Sequence, residues 1–260
     1  MSQRSRNSAK WLVVFVVVAA TWNAAVAHAA EIAVLSAGAV KSIVTELAEA
    51  FRQETGHTVK FTFAPVGALR EKLASGEPAD VVIMSDTAIE QLAAQGAVLG
   101  DSRTDIAKTA IGVAVREGAP RPDISTPEAF KQTVLAAKSI VYVDPARGAT
   151  SGIHFASVLD RLGIADAVKG KTVLVPGGFA AESVAKGEAE LCVHQISEII
   201  PVKGVTLVGP LPRELQKITV YSAAIPARAR IPEEAKAFTA FLARPAWKAK
   251  LAAAGLDYRE

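Results

Sequence analysis

EIAVLSAGAVKSIVTELAEAFRQETGHTVKFTFAPVGALREKLASGEPADVVIMSD, residues 31–86, decides the fold class. EIAVLSAG is a short apolar run that reads as a strand entering a loop. In VKSIVTELAEAFRQETG, Val40, Ile43, Val44, Leu47, Ala48 and Phe51 recur at helical spacing, and Gly56 supplies the stop. VKFTFAP is a second strand, GALREKLASG a short helix ended by Gly76, and ADVVIMSD a buried strand. TAIEQLAAQG adds another helix, ended by Gly96. Strand and helix in alternation predict a parallel sheet with helices on its faces.

Upstream, MSQRSRNSAK is basic, WLVVFVVVAA is apolar but short for a bilayer, and Ala27-His28-Ala29 has the small-x-small pattern of a processing site. Residues 1–30 therefore read as a secretory signal peptide cut near Ala29, which predicts a periplasmic protein with no stable membrane insertion after cleavage. An uncleaved anchor is the alternative. The whole chain has 29 Lys+Arg against 26 Asp+Glu, and loss of Arg4, Arg6 and Lys10 brings the two counts level. Bulk charge thus gives no reason to expect nucleic-acid binding. Cys192 is the only cysteine, so no intrachain disulfide can form.

Downstream, the pattern loosens at KTAIGVAVREGAPRPD, read as a strand and a Pro-rich connection. A second α/β unit follows: SIVYVD, GIHFASVLDRLGI, TVLVPGG, AAESVAKG, ELCVHQ, SEIIPV and VTLVG. ITVYSAAIPA reads as a return to the first unit, and PEEAKAFTAFLARPAWKAKLAAAG as C-terminal helices. The expected organisation is an α/β protein of two lobes. Residues 31–112 and 221–260 form the first lobe and 113–220 the second, with a ligand cleft between them. The chain is expected to be a monomer.

Four strand-to-helix loops are candidate binding elements: Ser36-Ala37-Gly38-Ala39, Ala64-Pro65-Val66-Gly67, Ser85-Asp86-Thr87 and Arg147–Gly152. Each would present helix N-terminal amides and partial positive charge to an anion. Taken singly, Ser, Thr or Asp before a helix is also an ordinary cap. Arg147 could clamp a carboxylate with two parallel hydrogen bonds, or sit in solvent. Thr150 and Ser151 could donate hydroxyls to the same anion, and Arg70 is a further candidate. His194 and Gln195 leave the strand ELCVHQ as a polar pair; a satisfied buried histidine is the competing reading. GATSG is not a nucleophile elbow, since its serine stands one place late. PGGFAAES lacks the lysine of a phosphate-binding loop. Cys192 and His194 alone make no zinc site. Neither a cofactor nor a metal is expected.

The stretches IAVLSAGAVKSIV, ETGHTVKFTFAPVGALREKLASGEPADVVIMSD, YVDPARGATSGIHFASVLDRLGI and KGEAELCVHQISEI resemble the molybdate-binding-protein branch of the type II periplasmic solute-binding proteins. The resemblance implies two α/β lobes that close on an anion and deliver it to a membrane ABC permease. It also marks departures. Ala39 stands where the family's oxyanion binders offer a serine, Pro65 and Val66 replace a second serine, and Gln195 stands where a tyrosine is frequent. Three hydroxyls suited to molybdate are absent, which points to a carboxylate held by Arg147. The expected function is a solute-binding protein for a di- or tricarboxylate, with Ser36, Ala37, Val66, Gly67, Arg70, Ser85, Arg147, Thr150, Ser151, His194 and Gln195 as ligand-binding residues. The branch includes aconitate isomerase, so the alternative is an isomerase on the same scaffold with His194 as its proton-transfer group. Retention of molybdate is a third reading.

Overall fold

The computed structural model describes residues 29–257, so the expected signal peptide lies outside the described residues except for its last two positions. The first unit runs β1 (Glu31–Ala37), α1 (Lys41–Thr55), β2 (Thr58–Ala64), α2 (Val66–Ala74), β3 (Val81–Ser85), α3 (Asp86–Ala94) and β4 (Thr104–Thr109). The second runs β5 (Ile111–Arg116), α4 (Pro127–Ala136), β6 (Ile140–Val143), α5 (Thr150–Arg161), α6 (Ala165–Lys169), β7 (Thr172–Val175), α7 (Ala181–Lys186), β8 (Leu191–Gln195), α8 (Ile196–Ile199) and β9 (Val205–Pro210). The chain then returns through β10 (Thr219–Ala224), α9 (Pro232–Leu242) and α10 (Lys248–Ala253).

Two five-stranded sheets result, ordered β2-β1-β3-β10-β4 and β7-β6-β8-β5-β9. β1, β2 and β3 are mutually parallel, as are β6, β7 and β8, while β10 and β5 run antiparallel to their neighbours. The parallel strands are why the loops after β1, β2, β6 and β8 all leave their sheets on the same edge. α1 covers the first sheet with Ile43, Val44, Leu47, Ala48 and Phe51, the residues whose spacing predicts the helix. Gly56 ends α1 in the left-handed region (φ 78°), and its N–H donates to the Arg52 carbonyl. Among the described residues, no helix is long and apolar enough to cross a membrane.

The stretch KTAIGVAVREG, expected as one strand, is divided between the two sheets. β4 ends at Thr109 in the first and β5 begins at Ile111 in the second, so Ala110 alone makes the crossing. A continuous apolar run conceals this, because both halves are buried strands. Gln216, on the returning segment, braces the crossing: its Oε1 accepts from the Ile111 N–H at 2.9 Å and its Nε2 donates to the Ile111 carbonyl at 2.8 Å. His154 of α5 ties the second lobe to the same segment through its Nε2 and the Leu215 carbonyl, 2.7 Å apart.

The lobes also touch away from the crossing. The Gly67 N–H at the start of α2 donates to the Gly148 carbonyl at 3.2 Å. A β-carbon on Gly67 would stand 2.8 Å from the Gly148 Cα, and one on Gly148 would stand 2.5 Å from the Gly67 Cα. Two glycines therefore permit backbone to meet backbone across the lobes. Gly67 lies in an α-helix and needs no unusual φ, so alanine there is compatible with the fold of its own lobe. Gly67→Ala is expected to raise the energy of this interlobe contact by about 1–3 kcal/mol through overpacking. Small-angle scattering should then give a larger radius of gyration than wild type at an unchanged melting temperature; equal radii would refute the argument.

Candidate functional site

A cavity of about 470 Å³ lies between the lobes. Residues 37–39 after β1 and 63–66 after β2 line it from the first lobe, together with Lys41 and Tyr221. Residues 149–151 after β6, 175–179 after β7, and His194, Gln195 and Glu198 after β8 line it from the second. Each of these runs follows the carboxyl end of a strand, where helix N-termini point outward. The residues preceding the first helical turns facing the cavity are Ala37, Pro65 and Ala149, and none caps its helix with a side chain. By contrast α4, outside the cavity, is capped by Thr126, whose Oγ1 accepts from the Ala129 N–H at 3.1 Å. The uncapped ends leave amide donors and the positive ends of helix dipoles available to an anion.

Of the residues expected from sequence, Ala37, Val66, Thr150, Ser151, His194 and Gln195 line this one cavity. The others stand elsewhere. Ser36 is fully buried, with its hydroxyl on the Ala37 carbonyl at 3.2 Å. Gly67 makes the lobe contact with Gly148. Arg70 borders a separate surface groove with Glu71 and Leu73. Ser85 pairs with the Thr87 hydroxyl at 3.3 Å, the local turn interaction that competes with ligand binding. Arg147 is exposed and does not line the cavity. It ends a single 3-10 turn, Pro145–Arg147, that Asp144 caps by accepting the Ala146 N–H at 2.9 Å. The loop enters the cleft with Ala149–Ser151, beyond its glycine.

Sequence reasoning missed Lys41, Phe63, Phe179, Glu182, Lys186, Glu198 and Tyr221, all of which line the cavity. Glu198 was the most legible of these. It stands four residues after His194, and the short helix α8 turns it back onto the imidazole. Its Oε2 lies 3.3 Å from His194 Nδ1, and both side chains are buried. Gly38 makes room for it, since a β-carbon there would stand 2.8 Å from Glu198 Oε1. Burial raises the Glu198 carboxyl above the ordinary range, and the neighbouring His194 only partly opposes this.

The imidazole contacts fix its tautomer. The Gln195 backbone N–H, which can only donate, points at His194 Nδ1 from 2.8 Å. Nδ1 is therefore an acceptor, and Nε2–H donates to the Gly178 carbonyl at 3.1 Å. Ser151 Oγ also lies 3.3 Å from Nδ1. Serine and glutamate thus approach the same ring nitrogen, whereas a nucleophilic triad needs one on each. The arrangement suits proton transfer, and burial favours the protonated form of Glu198. Beside it, Gln195 Nε2 donates to the Thr219 and Tyr221 hydroxyls at 3.3 and 3.4 Å, and its buried Oε1 has no partner among the described residues. Burial also holds the Tyr221 phenol protonated.

The sequence pattern of bacterial extracellular solute-binding proteins matches residues 32–257. The chain belongs to that family. An aconitate isomerase of Pseudomonas sp is 39% identical over 216 residues, 81% of either chain. The molybdate-binding protein ModA of Azotobacter vinelandii is 30% identical over 180 residues, 68% of this chain and 69% of that one. The solved structure of an Azotobacter vinelandii periplasmic molybdate-binding protein superposes with a TM-score of 0.74 at 22% identity, covering 88% of this chain and all of that one. This solute-binding protein falls in the molybdate-binding-protein-like branch of the type II fold, the branch that includes aconitate isomerase.

The raised Glu198 pKa has a consequence for stability. The folded chain keeps a proton that the unfolded chain releases near pH 4. Stability held by the protonated carboxyl is complete below that pH and is lost as pH rises toward the raised value, by at most about 1.4 kcal/mol per pH unit. Glu198→Gln carries no such loss. Its melting temperature, followed by calorimetry, should match wild type at acid pH and exceed it increasingly toward neutrality. A gap that narrows as pH rises would contradict the burial argument.

Proposed function

We propose that this protein is a periplasmic isomerase acting on a small unsaturated polycarboxylate, with an aconitate-type allylic proton shift as its reaction. The observation that carries this is the buried Glu198–His194 pair in a cavity otherwise built for an anion. A receptor that only binds a polyanion has no use for a carboxyl group whose proton leaves, because the carboxylate so formed repels the ligand. An enzyme that moves a proton needs such a group, and burial brings its pKa toward the working range. The 39% identity to an aconitate isomerase supports the same reading.

In this mechanism the uncapped amides at the starts of the helices hold substrate carboxylates. Ionised Glu198 takes a proton from the substrate methylene. The electron pair left on that carbon delocalises through the double bond into the adjacent carboxylate, where helix N-termini stabilise it. Glu198 then returns the proton to the far end of the allyl unit, and the double bond shifts by one carbon. Atoms and charge balance, and the substrate is neither oxidised nor reduced. In the resting state His194 Nδ1 accepts a hydrogen bond from the Glu198 carboxyl and orients it. Ser151 supports the ring.

A second reading keeps the protein as a carboxylate receptor for an ABC permease. The family match and the enclosed interlobe cavity favour it. Turnover separates the two. Purified protein incubated with cis-aconitate should produce the trans isomer, with solvent deuterium entering the product in heavy water. Activity should rise with pH as Glu198 ionises. Glu198→Gln should lower kcat by about 100-fold or more, with binding retained. Binding of aconitate without conversion would leave the receptor, and a thermal shift with molybdate alone would exclude both.

A further inference from the structure

Five side chains that can carry charge line the cavity: Lys41, Glu182, Lys186, Glu198 and His194. Lys186 lies 3.9 Å from Glu182 on the same helix, a loose pair with both side chains more than half exposed. His194 and Glu198 face each other in the wall, 3.3 Å apart. Lys41 has no carboxylate partner among the described residues. Its Nζ lies instead between two aromatic rings, 5.5 Å from the centre of Phe63 and 5.7 Å from that of Phe179. Rings attract an ammonium group through their faces but accept none of its N–H bonds in the way a carboxylate does. The group is thereby held at the cavity wall with donors to spare.

The two rings come from different lobes. Phe63 belongs to β2, and Phe179 follows Pro176, Gly177 and Gly178 in the loop after β7. That loop meets the first lobe again at Pro65, 3.3 Å from the position of a β-carbon on Gly177. It also provides the Gly178 carbonyl that accepts from His194 Nε2. One short loop therefore completes the cradle of Lys41 and orients the imidazole beside Glu198.

Resting on the polycarboxylate reading above, we propose that Lys41 is the specificity-determining cation of the site. It takes the substrate carboxylate that the helix amides do not, and so selects tricarboxylates over dicarboxylates.

The test compares trans-aconitate with itaconate, which has one carboxylate fewer, by calorimetric titration of the wild type, Lys41→Met and Lys41→Arg. Lys41→Met should weaken trans-aconitate by about 10- to 100-fold, as loss of a charged hydrogen bond does. Itaconate should change by about twofold or less, in line with a surface substitution. Lys41→Arg should recover most of the lost affinity, and all three proteins should melt alike without ligand. Equal weakening of both ligands, or none, would overturn the assignment of Lys41 while leaving the polycarboxylate reading intact. A wild type that binds neither ligand would remove that reading and the Lys41 assignment with it.

Discussion

The paired hydrogen bonds between the Gln216 amide and the backbone of Ile111 hold the two chain crossings together. At this place the chain changes sheet within one residue, and the returning segment must lie beside it. An unpaired buried N–H or C=O is costly, and the crossing leaves few: the Ala110 carbonyl accepts from the Ile196 N–H at 2.9 Å, the Ile111 carbonyl from the Leu211 N–H at 3.0 Å, and the Gln216 side chain supplies the acceptor for the Ile111 N–H. With the crossings fixed, the parallel strands of each sheet end toward one cleft. Every element of the site is placed by that geometry: uncapped helix starts from both lobes, the His194–Glu198 pair from the second and Tyr221 from the returning strand.

Charge then sorts the cleft into parts. Amide groups and helix dipoles offer diffuse positive potential without a proton that can be lost. Glu198 is the opposite kind of group, costly as an anion because it is buried. A site that combined it with several free lysines would form internal ion pairs and spend its cations on itself. Here Lys186 stands 3.9 Å from Glu182 with both side chains in solvent, and Lys41 packs against aromatic faces. Glycine contributes in a similarly specific way. Gly38 yields the volume that Glu198 fills, and Gly67 with Gly148 allows lobes to meet at backbone distance.

The α/β class, the helix of residues 41–55 and the two-lobe plan were legible in sequence because each rests on local periodicity. The strand ends after β1, β2, β6 and β8 were legible for the same reason, and six residues expected near them do share one cavity. Arg147 was misleading: a lone guanidinium in a polar loop looks like a clamp, yet the 3-10 turn before Gly148 leaves it exposed. The division of KTAIGVAVREG between two sheets was hidden, since both halves are apolar and extended. Lys41, Phe63 and Phe179 gave no signal, as their meeting joins residues far apart in the chain and in different lobes.

Sequence by itself determined the order of strands and helices and the small residues that leave helix ends uncapped. Burial pattern and backbone preference act over a few residues, so they can be read along the chain. Tertiary structure alone decided that Ser151 would approach His194 Nδ1 and that Lys41 would meet aromatic rings from both lobes, with no carboxylate partner among the described residues. Those properties depend on distances between segments far apart in the chain, and such distances are not written in local sequence.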